Sequence, residues 1–215
     1  MAAMDGLADA KSQGRALAQR HNQDGGAAAL EVDRLNSLLN YAEAPHPGDW
    51  TFRSGLTRLA QPQPELVSRV LEVSRRLDAP LHHVRRKLEA HPAVCDQGLT
   101  SDNIDGPPVQ PVTDIRTADL ARLVAAGSDA HELMATYAET LPLESEELKA
   151  VPLLAVAVTF EELAAIVTAW AVEGPSDPPL QAVEEYVQQA AAELDRLEVP
   201  IETGPPPGAK RGPRR

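Results

Sequence analysis

Hydrophobic residues recur along most of this chain at the three- and four-residue spacing that is typical of amphipathic helices. The pattern predicts helices over residues 9–21, 27–41, 65–77 and 118–126, and a last helix that starts at residues 176–179 and runs to about residue 197. Further helices are predicted to begin at Pro80, Ser128 and Ser145. Only two short segments, residues 93–95 and 109–113, are predicted as strands. The expected fold class is therefore mainly α, with a short β-hairpin around one central loop.

The most hydrophobic stretch covers residues 153–172, and we predict that it forms the central core helix. Pro152 lies directly before it, and we expect this proline to interrupt the segment that begins at Ser145, because proline cannot donate a helical hydrogen bond. Pro80 is expected in the first turn of its helix, where a missing N–H costs nothing. Gly127 and Ser128 predict a C-cap followed by a new helix start.

The segment over residues 92–126 is the least helical part of the sequence and holds most of the candidate chemistry. Asp96, Asp102, Asn103, Asp105 and Asp114 lie there among glycines and prolines. Because the predicted strands bracket this segment, we expect them to hold the loop between two helical regions. Function is therefore expected to depend on this loop.

Composition and charge exclude several classes of protein. Aromatic residues make up only 3% of the chain, which favours helices over sheets, and the net charge of −12 argues against a nucleic-acid surface. The single cysteine, Cys95, excludes an internal disulfide. The sequence shows no apolar run that we expect to span a bilayer and no signal pattern, so we expect a soluble cytoplasmic protein.

The same patterns predict one domain with two disordered ends. Residues 9–200 are expected to form a single helical domain, because hydrophobic periodicity continues through them. Residues 1–8 are predicted to be disordered. The tail over residues 201–215 is rich in proline, glycine and basic residues, and disorder is predicted there as well.

Two residues of the central loop match what phosphoryl transfer requires. That chemistry needs a base that orients the nucleophile, and an Asn and an Asp that hold the magnesium ion bridging the nucleotide phosphates. Asn103 is followed, after a turn that contains Gly106, by Asp114 at the end of a short apolar strand. We therefore predict that Asn103 and Asp114 are ligands for magnesium and, through it, for ATP in any active form of the protein.

The order of several motifs extends this likeness. In chain order they are Leu17-Ala18-Gln19-Arg20-His21, Asp96-Gln97-Gly98-Leu99-Thr100-Ser101-Asp102-Asn103, Val112-Thr113-Asp114 and Ala118-Asp119-Leu120-Ala121. This layout resembles the C-terminal lobe of the aminoglycoside phosphotransferase and choline kinase-like family, over roughly residues 10–197. The resemblance implies the helical C-lobe of a protein-kinase-like fold and ATP-dependent transfer to a hydroxyl. It also implies an acceptor pocket between residues 133–137 and 160–170.

The sequence departs from the family at the residues that matter most for catalysis. Gly98 stands where the family has its catalytic Asp, five positions before Asn103, and no segment corresponds to the N-terminal lobe that covers the nucleotide. A general base is typically worth about 100- to 10,000-fold in rate. We therefore predict a non-catalytic, pseudokinase-like protein that binds a partner protein, a second copy of itself, or a small-molecule or peptide ligand.

Two alternatives stay open on the sequence. In the first, the protein is a phosphotransferase in which Asp96 or Asp102 takes the base role and a partner chain supplies the missing lobe. In the second, it is a plain helical interaction domain, because Asp102-Asn103 is a common turn former and Asp114 and Asp119 are typical helix caps. Cys95 is then a small buried apolar residue.

Overall fold

Seven helices and one two-stranded sheet make up the part of the chain that the computed structural model describes, which is residues 2–23, 31–32, 50–173, 175 and 179–199. The helices are α1 (Ala2–Gln23), α2 (Trp50–Ala60), α3 (Pro64–Leu88), α4 (Thr117–Ala125), α5 (Ala130–Ala138), α6 (Ser145–Glu173) and α7 (Pro179–Arg196). The strands are β1 (Pro92–Asp96) and β2 (Pro111–Ile115). The prediction of a mainly α protein is confirmed.

The two strands pair in antiparallel fashion, as the sequence predicts. The register places Ala93 opposite Asp114 and Asp96 opposite Pro111. The second strand begins two residues later than predicted, because the N–H groups of Val109 and Gln110 bond to the carboxylate of Asp96. The hairpin therefore closes around a side chain, and the loop between the strands spans residues 97–110.

Helix α6 is the centre of the core, which confirms the prediction for residues 153–172. It packs against α2, α3, α4 and α7, and Leu154, Phe160, Val167 and Trp170 are buried along it. By length and composition α6 is also apolar enough to cross a membrane, whereas the sequence analysis expected no such run. Half of its most apolar window is buried inside the protein. Burial on several sides is typical of a core helix.

Two prolines lie inside helices that we predict to be interrupted or restarted there. Pro80 lies within α3 and Pro152 within α6, and both helices continue through them. A proline inside a helix costs about 3 kcal/mol. The apolar residues on both sides of Pro80 are buried, including Leu77 and Leu81, and this burial outweighs the cost of the lost hydrogen bond.

Helix α5 is capped by a different residue from the one predicted. Asp129 is the N-cap, and its side chain accepts a hydrogen bond from the N–H of Glu132. The hydroxyl of Ser128 instead donates to Oε1 of Gln13 at 2.6 Å, which links the turn to α1. Gly127 has a φ of 102° and follows the C-cap of α4, as predicted.

Close packing of two helix pairs depends on glycine. A Cβ atom on Gly55 of α2 would lie 1.8 Å from the carbonyl oxygen of Val167 in α6. A Cβ atom on Gly14 of α1 would lie 2.6 Å from the carbonyl oxygen of Leu133 in α5. Both helices therefore approach their partners more closely than any other residue would permit.

Some predictions concern residues that lie partly or wholly outside the described part of the chain. The helix predicted over residues 27–41 and the tail over residues 201–215 lie outside the described residues, apart from positions 31 and 32. Helix α1 begins at Ala2, within the segment for which the sequence predicts disorder.

Candidate functional site

Asp96 ends strand β1 and organises the loop that follows it. Its side chain is buried, and its carboxylate accepts hydrogen bonds from the N–H groups of Gly98 at 3.0 Å, Val109 at 2.9 Å and Gln110 at 2.9 Å. Burial opposes ionisation, but these three donors and the nearby Arg20 outweigh it and lower the pKa of Asp96. This carboxylate is therefore an acceptor that holds the loop closed through three hydrogen bonds.

Asn103 serves the same loop. Its Nδ2 donates to the carbonyl oxygen of Gly98 at 2.9 Å, and its Oδ1 accepts from the N–H of Thr100 at 2.8 Å. Asp96 and Asn103 are thus brought together through Gly98, which bonds to the first by its N–H and to the second by its carbonyl. Both ends of the Asn103 amide therefore hold the turn in place.

The other two predicted residues lie in contrasting places. Asp102 is exposed in the turn, whereas Asp114 is fully buried on strand β2, where its Oδ1 accepts the N–H of Ile115 at 2.7 Å. A role for Asn103 and Asp114 as a shared metal pair remains a prediction.

Arg20 of α1 fixes the far side of the loop. Its Nη2 donates to three carbonyl oxygens, those of Asn103 at 3.2 Å, Ile104 at 2.8 Å and Gly106 at 2.7 Å. The loop is therefore held by a buried carboxylate at its base and by a guanidinium at its tip.

A buried polar cluster lies where α1, β1 and α4 meet. Nε2 of His21 lies 3.3 Å from Oδ2 of Asp119, and Nδ1 of His21 lies 2.9 Å from the hydroxyl of Tyr137. Oδ1 of Asp119 accepts the N–H of Asp96 at 3.0 Å. Burial, and then the carboxylates of Asp119 and Asp114, raise the pKa of the Cys95 thiol. We call His21, Cys95 and Asp119 the buried triad.

Sequence reasoning singled out two of these residues only as parts of motifs. His21 ends the Leu17-Ala18-Gln19-Arg20-His21 motif, and Asp119 begins Asp119-Leu120-Ala121. The spacing along the chain gives no sign that they meet, because 98 positions separate them. The one signal in the sequence that could have indicated this cluster is a histidine on the apolar face of α1.

A cleft of about 400 Å³ opens beside the loop. It is lined by loop residues 97–100, by Arg122, Ala125 and Ala126, by Val158, Thr159, Glu161 and Glu162 of α6, and by Tyr186 and Gln189 of α7. Leu133 and Tyr137, which border the predicted acceptor pocket, are fully buried and do not line this cleft. The cleft therefore lies between the loop and helices α6 and α7.

Two charged residues face each other at the cleft. Nη2 of Arg122 lies 3.7 Å from Oε2 of Glu161, and both terminal nitrogens of Arg122 are buried without a hydrogen-bond partner in the described residues. Burial raises the pKa of Glu161 to about 7, with Arg122 opposing the shift and Asp114 adding to it. Glu161 is thus a carboxyl that can take up and release a proton near neutral pH, which the sequence did not suggest.

Comparisons of the chain with protein-family models, with curated proteins and with solved structures find no match.

Proposed function

We propose that this protein is a non-catalytic, degenerate relative of the phosphotransferases, built on a kinase-like helical C-lobe, and that it works by binding. The cleft between the loop and helices α6 and α7 is the binding site. Its volume of about 400 Å³ suits a small polar molecule or a single side chain of a partner.

One observation carries the proposal, namely that the buried carboxylate of Asp96 holds its own loop closed. Three backbone N–H groups bond to it, and its pKa is lowered. A general base needs a free lone pair at the substrate and a pKa near the working pH. Asp96 is buried against its own loop and its pKa is shifted away from neutral pH, and Gly98, which replaces the family's catalytic Asp, has no side chain to contribute.

Asn103 supports the same proposal. Its amide closes the turn between Gly98 and Thr100. A magnesium ion would compete with the Thr100 N–H for the lone pairs of Oδ1. The loop is therefore better suited to shaping one wall of the cleft than to holding ATP through a metal.

Titration with ATP and magnesium tests the absence of catalysis. We expect no magnesium-dependent heat of binding in calorimetry and no phosphate release above that of the Asp96→Asn variant. Turnover by the wild-type protein that falls in Asp96→Asn would falsify the non-catalytic assignment.

Filling the cleft tests the binding role separately. Thr159 lines the cleft, and its hydroxyl donates to the carbonyl of Ala155 in the preceding turn of α6. Thr57 makes the same type of bond to Arg53 on the exposed face of α2, away from the cleft. Polar compounds found by a thermal-shift screen of the wild-type protein should lose binding in Thr159→Trp and keep it in Thr57→Trp. Equal binding by both variants would show that the binding site is not in this cleft.

A second candidate function, transfer of a phosphoryl group to a hydroxyl, is favoured by Glu161. This half-buried carboxyl lines the cleft, and its pKa of about 7 suits a general base. In that case a partner chain supplies the nucleotide-binding lobe. Activity in a mixture with the partner that disappears in Glu161→Gln, and persists in Asp102→Asn, would establish this alternative over the binding role.

A further inference from the structure

The buried triad gathers three metal-binding side chains that the proposed function does not use. His21 comes from α1, Cys95 from β1 and Asp119 from α4, and all three are buried. One ligand atom from each lies within 4.8 Å of the other two. Imidazole, thiolate and carboxylate are the three protein ligands that zinc accepts most readily.

One distance within the triad already matches the spacing of ligand atoms around a zinc ion. Ligand atoms around a tetrahedral zinc ion lie about 3.3–3.6 Å apart, given bond lengths of about 2.0–2.3 Å. Nε2 of His21 and Oδ2 of Asp119 already lie 3.3 Å apart. The thiol of Cys95 donates a hydrogen bond to the carbonyl oxygen of Ile115 at 3.4 Å, which holds the sulfur in position.

The groups around the triad are those that orient metal ligands. A histidine that binds a metal almost always donates its other ring N–H to an oxygen, and a ligating carboxylate is itself hydrogen-bonded. Nδ1 of His21 lies 2.9 Å from the Tyr137 hydroxyl, which can donate or accept. Oδ1 of Asp119 is held by the N–H of Asp96, which leaves Oδ2 for a metal. These contacts fix two of the three ligands in place.

We propose that the buried triad of His21, Cys95 and Asp119 is a structural zinc site. The ion would tie α1 to the start of the central loop and to α4. Binding breaks the S–H bond of Cys95, forms a Zn–S bond and releases one proton to the solvent. One thiolate and one carboxylate then neutralise the two positive charges of the ion inside the protein.

Zinc and cobalt binding by the full chain test the proposal. After treatment with EDTA, the wild-type protein should take up one zinc ion per chain, measured by elemental mass spectrometry, and release one proton per zinc. Bound Co²⁺ should show a thiolate-to-cobalt charge-transfer band. Since Cys95 is the only cysteine in the chain, that band can come from no other residue.

Three variants distinguish a zinc site from a cluster that is held by hydrogen bonds without a metal. Cys95→Ala should abolish the band, and Tyr137→Phe should weaken zinc binding about 10-fold, as outer contacts of metal ligands do. His91, whose Nε2 lies 3.2 Å from Glu144, provides a matched histidine–carboxylate pair outside the triad. His91→Gln should bind zinc as the wild type does.

The proposal fails if the wild-type chain binds no stoichiometric zinc, or if its cobalt complex lacks the charge-transfer band. It also fails if the band survives in Cys95→Ala. Where a variant does not fold, the cobalt spectrum of the wild-type protein decides alone. None of these outcomes depends on the ligand of the cleft, so the proposed function stands or falls separately.

Discussion

The guanidinium of Arg20 donates a hydrogen bond to the carbonyl oxygen of Ile104 at 2.8 Å, although 84 positions separate the two residues. The same nitrogen also contacts the carbonyl oxygens of Asn103 and Gly106. Three converging carbonyl dipoles stabilise a positive charge, and hydrogen bonds to charged groups are the stronger ones. Helix α1 therefore holds the tip of the central loop.

Replacing Arg20 by Lys should loosen that tip. The ammonium group keeps the charge but cannot match the planar guanidinium, so we expect a loss of about 1–3 kcal/mol in the free energy of unfolding. Urea denaturation measures the loss, and faster amide hydrogen exchange over residues 99–106 locates it. Arg15→Lys, at an exposed position of the same helix, should change neither quantity. Equal effects at both positions would contradict the role given to Arg20.

Asp96 should make stability depend on acid pH. Its folded-state pKa is below the ordinary value of 3.8. Its contribution is therefore fully present above about pH 4 and is lost as the pH falls through the folded-state pKa. Asp96→Asn should lose about 2–4 kcal/mol at pH 7, because an amide cannot accept all three N–H bonds.

The measurement is urea unfolding of both proteins between pH 2 and pH 7, the range of ordinary carboxyl titration. The difference between wild type and Asp96→Asn should shrink towards the acid end. Asp105→Asn, an exposed change in the same loop, provides the control. A difference that stays constant with pH would show that Asp96 does not titrate as described.

Close packing of α2 against α6 should not tolerate a methyl group at Gly55. Alanine favours a helix by about 1 kcal/mol over glycine, but its Cβ would lie 1.8 Å from the carbonyl oxygen of Val167. We expect Gly55→Ala to cost about 2–3 kcal/mol, measured as a lower midpoint in urea. At Gly106 a Cβ atom meets only the carbonyl oxygen of Asn103, at 3.4 Å, so Gly106→Ala should cost far less.

Glu161 should act on stability in the opposite sense to Asp96. Its pKa rises from 4.5 to about 7 on folding, so the folded state holds a proton that the unfolded state has released. Stability is therefore lost as the pH rises from about 4.5 to about 7, and the loss is complete above that range. Glu161→Gln should abolish this slope and be more stable than wild type at pH 8 by about 1–3 kcal/mol.

Unfolding curves at pH 5 and pH 8 test this expectation. Glu184 is exposed on α7, and Glu184→Gln should leave the difference between the two pH values as it is in the wild type. If Glu161→Gln is less stable than wild type at pH 8, the ion pair with Arg122 outweighs the burial of the carboxylate.

The sequence predicted the elements that depend on residues close together along the chain. The stripe on α7, the hairpin and the glycine after α4 all follow from periodicity or backbone preference, and the structure has them. The sequence predicts breaks at Pro80 and Pro152 that the structure does not have, because the penalty of a proline is local whereas the compensating contacts come from residues far along the chain. Leu77 and Leu81 are buried in separate clusters, a fact that no short window contains.

The candidate site was only partly predictable for the same reason. The turn-forming character of Asn103 is local, and its contacts with Gly98 and Thr100 fit that reading. The buried triad joins residues from three separate segments, so no single motif could reveal it. The raised pKa of Glu161 depends on how deeply α6 is covered by its neighbours, which composition does not report.

The contacts of α1 also affect how the chain is completed during synthesis. Among the described residues its partners β1, α4 and α5 all lie beyond residue 91, well after α1 itself. Leu17 and Ala18 are fully buried in the finished protein, so they remain uncovered until those partners have been synthesised. Helix α1 is thus enclosed long after it is made, and the nascent chain exposes an apolar surface that a chaperone can protect during that interval.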